Sequence, residues 1–217
     1  MPAASTRTIE VTTPSGPARV LLQVPAEPSA LLLLGHGAGG GVEAADITAA
    51  RDAALSAGVA VARVVQPYRV LGRRSPAPAP RLDDAWQAVA HNLTRRRALA
   101  GLALVCGGRS SGARVACRCA DALGAAGVIA LAFPVHPPGR PEQSRLPELT
   151  AVSAPVLVVQ GSRDPFGCPP KDALRPPSRL VLIDGADHGL KMGLPTIRAA
   201  VADFLPALVQ RAAIGAS

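Results

Sequence analysis

The sequence predicts an α/β fold: a mostly parallel, twisted sheet with helices on both faces and an N-terminal antiparallel hairpin. Three observations carry that expectation. Apolar runs about one strand long recur, such as LLLL at Leu31–Leu34 and VAVARVV ending at Val65, and near-continuously apolar strands belong to sheets covered on both faces. These runs alternate with segments of helical pattern. The first two β-rich runs are separated only by Pro14-Ser15-Gly16-Pro17, a turn composition that favours a hairpin.

In chain order, the expected strands are Thr6–Thr12, Ala18–Val24, Ala30–Leu34, Val59–Val65, Leu102–Cys106, Gly127–Leu131, Val156–Gln160 and Leu180–Ile183. The expected helices are at about Ala44–Ala57, Leu82–Arg97, Ser111–Leu123 and Thr196–Ala213. Two proline-rich stretches, Tyr68–Arg81 and Phe133–Pro147, interrupt the alternation and are expected to be irregular. Each follows a strand. Loops at the carboxyl ends of strands wall the ligand crevice of an open α/β sheet, so both are candidates for the rim of a site or for plain surface connectors.

A chain of 217 residues suits one domain, 1–217, with a sizeable core. Hydrophobic residues make up 48% of it, but the uncharged apolar runs fall far short of the roughly 20 residues that span a bilayer, so no membrane span is expected. The N-terminal MPAASTRTIEV lacks the basic and apolar regions of a signal peptide, and a cytoplasmic location is the expectation. The net charge of +8 raises nucleic acid as a partner. However, the charge is nearly all Arg, densest at Arg95-Arg96-Arg97, and aromatics at 2% supply almost no stacking surface. A solvated basic face is the better reading, with no nucleic-acid partner. Cys106, Cys117, Cys119 and Cys168 have no zinc-like spacing and read as free thiols, so no metal and no cofactor is expected.

The chemistry concentrates in GLALVCGGRSSGARVA, Gly101–Ala116: an apolar strand, then Gly108-Arg109-Ser110-Ser111-Gly112, then a helical pattern. This is G-x-S-x-G in the strand–turn–helix setting of a nucleophile elbow. Such a turn leaves no room for side chains two residues before and after the nucleophile. Gly108 and Gly112 meet that condition around Ser110, whereas Arg109 and Ala113 fail it around Ser111. The Ser111 N–H then begins the helix, where developing negative charge is favoured.

A serine nucleophile needs a base, and the base an orienting acid. His91 lies within a helical pattern, His36 in a glycine loop and His136 in a proline-rich loop, whereas His188 follows the last apolar strand in VLIDGADHGLK. Asp164 follows the preceding strand in QGSRDPFG. The order Ser110, Asp164, His188 matches Ser…Asp…His, the order of the α/β-hydrolase triad. Asp187 is poorly placed to orient its own neighbour, and Asp184 is a candidate loop brace.

GHGAGGG at 35–41 satisfies G-x-G-x-x-G, yet the next strand ends without the acidic residue that binds a ribose, and no Lys-Ser/Thr pair follows for a phosphate loop. It fits an oxyanion loop better, with the Ala38 N–H pairing with that of Ser111. On this reading a bulky residue at Gly39 is expected to damage turnover. His36, Arg109 and His136 are possible substrate-rim residues, and Arg140 and Arg145 are weighed between an acidic substrate and salt bridges.

Together LLLLGHGAGG, GGRSSG, FPVHPPGRPE, VLVVQGSRDPFG and GADHGLK resemble the dienelactone-hydrolase-like branch of the α/β-hydrolases, over about residues 30–210. More narrowly, they resemble the compact family of testis-expressed hydrolase-like proteins and a hydrolase-like domain of a chromatin-acetylation complex subunit. The resemblance implies an α/β-hydrolase fold with minimal or no lid, a Ser110–Asp164–His188 triad, an Ala38/Ser111 oxyanion hole and a small ester substrate. Classical members of that branch use cysteine where Ser110 stands, so lactone specificity does not transfer. Two other readings are a hydrolase-like protein-interaction module and a dinucleotide-dependent oxidoreductase.

Overall fold

The computed structural model describes residues 5–215, with side chains described through residue 210. The entry hairpin is β1 (Thr6–Thr13) and β2 (Gly16–Gln23), paired antiparallel through Thr13↔Gly16. There follow β3 (Ala30–Gly35), α1 (Ala45–Ser56), β4 (Ala60–Val65), a short α2 (Pro67–Val70) and α3 (Ala79–Thr94). The second half holds β5 (Ala103–Arg109), α4 (Ser111–Cys119), β6 (Gly127–Leu131), α5 (Leu146–Thr150), β7 (Val156–Gly161), β8 (Arg179–Ile183) and α6 (Leu194–Gly215).

All eight strands form one sheet in the order β1-β2-β4-β3-β5-β6-β7-β8. From β4 to β8 every neighbouring pair is parallel, and β2 joins β4 antiparallel. The side-chain period of two splits the apolar strands between two cores. Leu31 and Leu33 of β3 face Trp86 and Val89 of α3 and Val115 of α4, whereas Leu32 and Leu34 face Ile47 of α1 and Val201 of α6. This two-sided burial is why β3 reads as an unbroken apolar run. The parallel arrangement delivers the ends of β3, β5, β7 and β8 to the same edge of the sheet, where the loops bearing His36, Ser110, Asp164 and His188 meet.

The two proline-rich stretches are irregular over 71–78 and 133–145, as expected, and helical only at their ends. Tyr68–Arg81 contributes to α2 and supplies the first turn of α3, and Phe133–Pro147 supplies the start of α5. Pro67, Pro80 and Pro147 sit at the first or second helical position, where a missing N–H forfeits nothing and the fixed φ suits the helix. These prolines start helices rather than break them.

The last helix also departs from expectation, since a window within Lys191–Gln210 is long and apolar enough to cross a bilayer, at mean hydropathy 1.3. In the fold it packs one apolar face against the sheet and α1. Ile197, Val201, Phe204, Leu205 and Leu208 are buried along one face, while Arg198 and Asp203 lie on the other. The four cysteines are free, and burial pushes the Cys106 thiol up to about 12.

Candidate active site

Ser110 lies between the end of β5 and the start of α4 with φ 53° and ψ −111°, a backbone region that a non-glycine residue occupies only when its surroundings force it. Two close approaches impose it. A Cβ on Gly112 would lie 2.5 Å from the Gly35 carbonyl carbon and oxygen, and one on Gly108 would lie 2.7 Å from the Gly35 oxygen and the Gly112 carbonyl carbon. The start of α4 is therefore pressed against the end of β3. The Ser110 N–H donates to the Leu131 carbonyl at 2.9 Å, which fixes the turn to the neighbouring strand.

With the backbone so held, the Ser110 hydroxyl donates to His188 Nε2 at 2.9 Å. His188 Nδ1 donates to Asp164 Oδ2 at 2.7 Å, and the Asp164 side chain is fully buried. With Nδ1–H on the carboxylate, the neutral imidazole turns its Nε2 lone pair toward the serine. Asp164 is itself fixed, since its Oδ1 accepts the Phe166 N–H at 2.9 Å and its Oδ2 accepts Gln160 Nε2 at 2.8 Å. Gln160, the last side chain of the buried β7 run, also donates to the Gly167 carbonyl at 2.9 Å. The Phe166 ring stands edge-on to the His188 imidazole with centroids 4.4 Å apart. Asp187 instead accepts the Gly189 N–H, and Asp184 accepts the Ser162 hydroxyl, which braces the loop.

The glycine loop crosses directly above the elbow. A Cβ on Gly37 would lie 3.6 Å from that of Ser110, and the Tyr68 hydroxyl donates to the Ala38 carbonyl at 3.1 Å, fixing the Ala38 peptide. Ser111 is the first residue of α4, where a helix leaves its N–H groups without an intrahelical acceptor. By contrast, a Cβ on Gly39 meets nothing within 4 Å. The constraint on a first side-chain carbon in this loop therefore lies at Gly37 and not at Gly39.

Each of the three residues expected on the substrate rim makes a structural tie. His36 is buried, its Nδ1 donating to the Gly37 carbonyl at 2.9 Å and its Nε2 accepting the Gln66 N–H at 3.1 Å. His136 Nδ1 donates to the Pro137 carbonyl, and its backbone N–H donates to the Phe166 carbonyl, so it joins the loops after β6 and β7. Arg109 is paired with Asp46 and hydrogen-bonded to the His188 backbone. Such long-range ties between loops leave no local sequence signature. Arg63, within β4, is buried and paired with Glu43. Among the described residues no cluster of His, Cys, Asp or Glu has the makings of a metal site.

Burial lowers the His36 pKa, with the positive charge of Arg69 acting the same way and the hydrogen bond to Gly37 opposing them. The unfolded chain, with an ordinary histidine near pH 6.5, therefore takes up the proton first as pH falls. Stability from this residue is complete above about pH 6.5 and lost as pH falls toward the folded pKa. Thermal melts from pH 7.5 to 5 are expected to fall more steeply for the wild type than for His36→Gln. Equal slopes would contradict the assignment.

The family model for the alpha/beta hydrolase domain matches residues 28–197, most of the chain and all of the site just described. The chain belongs to that family. Solved structures agree on the fold of this hydrolase-family chain. A lidless α/β serine hydrolase from Xanthomonas campestris superposes with a TM-score of 0.77 at 24% identity, covering 95% of this chain and 94% of that one. A dienelactone hydrolase from Anabaena variabilis gives 0.76 at 17%, covering 94% and 98%. An α/β serine hydrolase homologue from Coxiella burnetii gives 0.74 at 19%, covering 91% and 96%. None of the curated proteins matches the chain in sequence. These matches carry the α/β-hydrolase superfamily, and the narrower likeness to testis-expressed hydrolase-like proteins stays a resemblance.

Proposed function

We propose that this α/β-hydrolase is a serine hydrolase of the carboxylesterase type, acting on a small ester or related acyl substrate with Ser110, His188 and Asp164 as its catalytic residues. The observation that carries the reading is the unbroken line Ser110 Oγ, His188 Nε2, His188 Nδ1, Asp164 Oδ2, with steps of 2.9 and 2.7 Å across the imidazole. A protein-interaction module has no use for a strained serine aligned on a buried histidine–carboxylate pair.

In the reaction, Ser110 Oγ attacks the acyl carbon while His188 Nε2 takes its proton, and Asp164 holds the tautomer and stabilises the imidazolium that results. The Ser111 and Ala38 N–H groups stabilise the oxyanion, a role in which preorganised donors are worth about 3–4 kcal/mol each in measured cases. His188 then protonates the leaving alkoxide, and water repeats the sequence on the acyl-serine. No cofactor takes part in this cycle. The experiment is a panel of p-nitrophenyl esters of increasing acyl length, run on wild type and Ser110→Ala. Saturable hydrolysis by the wild type, absent from Ser110→Ala, is expected. Equal rates for the two proteins would overturn the reading.

A further inference from the structure

Arg109 occupies the variable position of the G-x-S-x-G motif, immediately before Ser110, and its side chain is about one-fifth exposed, at 19%. The guanidinium contacts a helix and two loops. Nε lies 2.8 Å from Oδ2 of Asp46, in the first turn of α1. Nη2 donates to the backbone carbonyl of His188 at 3.0 Å. Nη1 packs beneath the glycine loop, 2.8 Å from where a Cβ on Gly37 would stand.

Asp46 is the anchor of this arrangement. It is 1% exposed, and its other carboxylate oxygen accepts the Ile47 N–H at 2.9 Å. Burial pushes its carboxyl up, and the charge of Arg109 is the largest opposing influence, ahead of the backbone N–H groups at the start of α1. A carboxylate this buried holds a guanidinium firmly, because either group left alone would be an uncompensated buried charge. The guanidinium is planar with donors in a rigid fork, so fixing Nε on Asp46 also fixes the directions of both terminal nitrogens.

We propose that Arg109, anchored by Asp46, is a positioning residue that sets the His188 loop and the Ala38 loop in register with Ser110. This rests on the reading of Ser110 and His188 as the reacting pair, and it assigns a role to the residue between glycine and serine that G-x-S-x-G leaves unspecified. One rigid cation spans the loops after β3 and β8 from the end of β5, so their relative placement does not depend on three independently floating segments. A displacement of about 1 Å between reacting groups costs on the order of 100-fold in rate, which is the scale of effect this tie controls.

The decisive variant is Arg109→Lys. A single ammonium can reach Asp46 and keep the buried charge paired, but it cannot also reach the His188 carbonyl and support the glycine loop. The Tm is expected to stay within a few degrees of wild type. The rate of fluorophosphonate labelling at Ser110 is expected to fall about 10- to 100-fold. The downfield proton NMR signal of His188 Nδ1–H, which reports its bond to Asp164, is expected to broaden or disappear. Asp46→Asn/Arg109→Met removes both charges together and makes the same comparison if Arg109→Lys fails to fold. Retention of the His188 signal, or of the labelling rate within about twofold, in a folded variant would overturn the proposal. If the wild type itself is not labelled, the hydrolase reading fails, and the His188 signal alone decides the positioning role.

Discussion

Ser110→Ala is expected to reduce ester turnover by about four to six orders of magnitude, and His188→Ala by a similar factor, because the members of a nucleophile–base pair act as a unit. Asp164→Asn is expected to cost about 10⁴-fold, since an amide that can donate to Nδ1 favours the wrong tautomer. The loss should appear in kcat more than in KM. A companion variant separates chemistry from folding. Ser110 has φ 53°, and such strain costs on the order of 1–3 kcal/mol. Glycine accepts that backbone freely, less about 0.5–1 kcal/mol for its greater unfolded freedom. Ser110→Gly should therefore be inactive yet melt about 2–4 °C higher than wild type, which thermal melts and the ester assay together can check. A lower melting temperature would mean that the turn is not strained.

Gly112→Ala is expected to be a severely damaging single-methyl addition at the elbow. The new Cβ would lie 2.5 Å from the backbone carbonyl of Gly35 and 2.9 Å from that of His36, and neither can swing aside as a flexible side chain would. Relief requires α4 and β3 to separate, which pulls the Ser111 N–H away from the glycine loop. A cost of about 3 kcal/mol is expected, or a fall in Tm of about 6–12 °C for a chain of this size. The residual folded protein should also be slowed by at least tenfold in the ester assay. Gly39→Ala is the control, because a Cβ there points into open space and should change neither quantity appreciably.

Much of the sheet is legible in the sequence because β3, β4, β6 and β7 are buried on both faces, and two-sided burial demands the apolar runs that mark them. The meeting of Ser110, Asp164 and His188 is legible for a related reason. Each directly follows a parallel strand, so strand direction alone brings them to one edge of the sheet. What escapes the sequence is what acts between elements far apart in the chain. Arg109 reaches His188 across 79 positions, and His36 takes the N–H of Gln66 across 30, with nothing local to announce either contact. Gln160 looks like one more residue of a strand until its amide is seen on Asp164. Composition also cannot separate Gly37 from Gly39 within GHGAGGG, because only the path of the elbow beneath the loop distinguishes them. The prolines of α2, α3 and α5 mislead because the same residue that breaks a helix interior begins a helix well.

The central claim, that Ser110 is a nucleophile activated by His188, is tested most directly by treating folded wild-type protein with a fluorophosphonate and mapping the modified peptide. A single covalent adduct is expected on Ser110 within Gly101–Ala116, absent from Ser110→Ala and strongly diminished in His188→Ala. Folded wild-type protein that takes no label, or takes it on Ser111, would rule out Ser110 as the activated nucleophile.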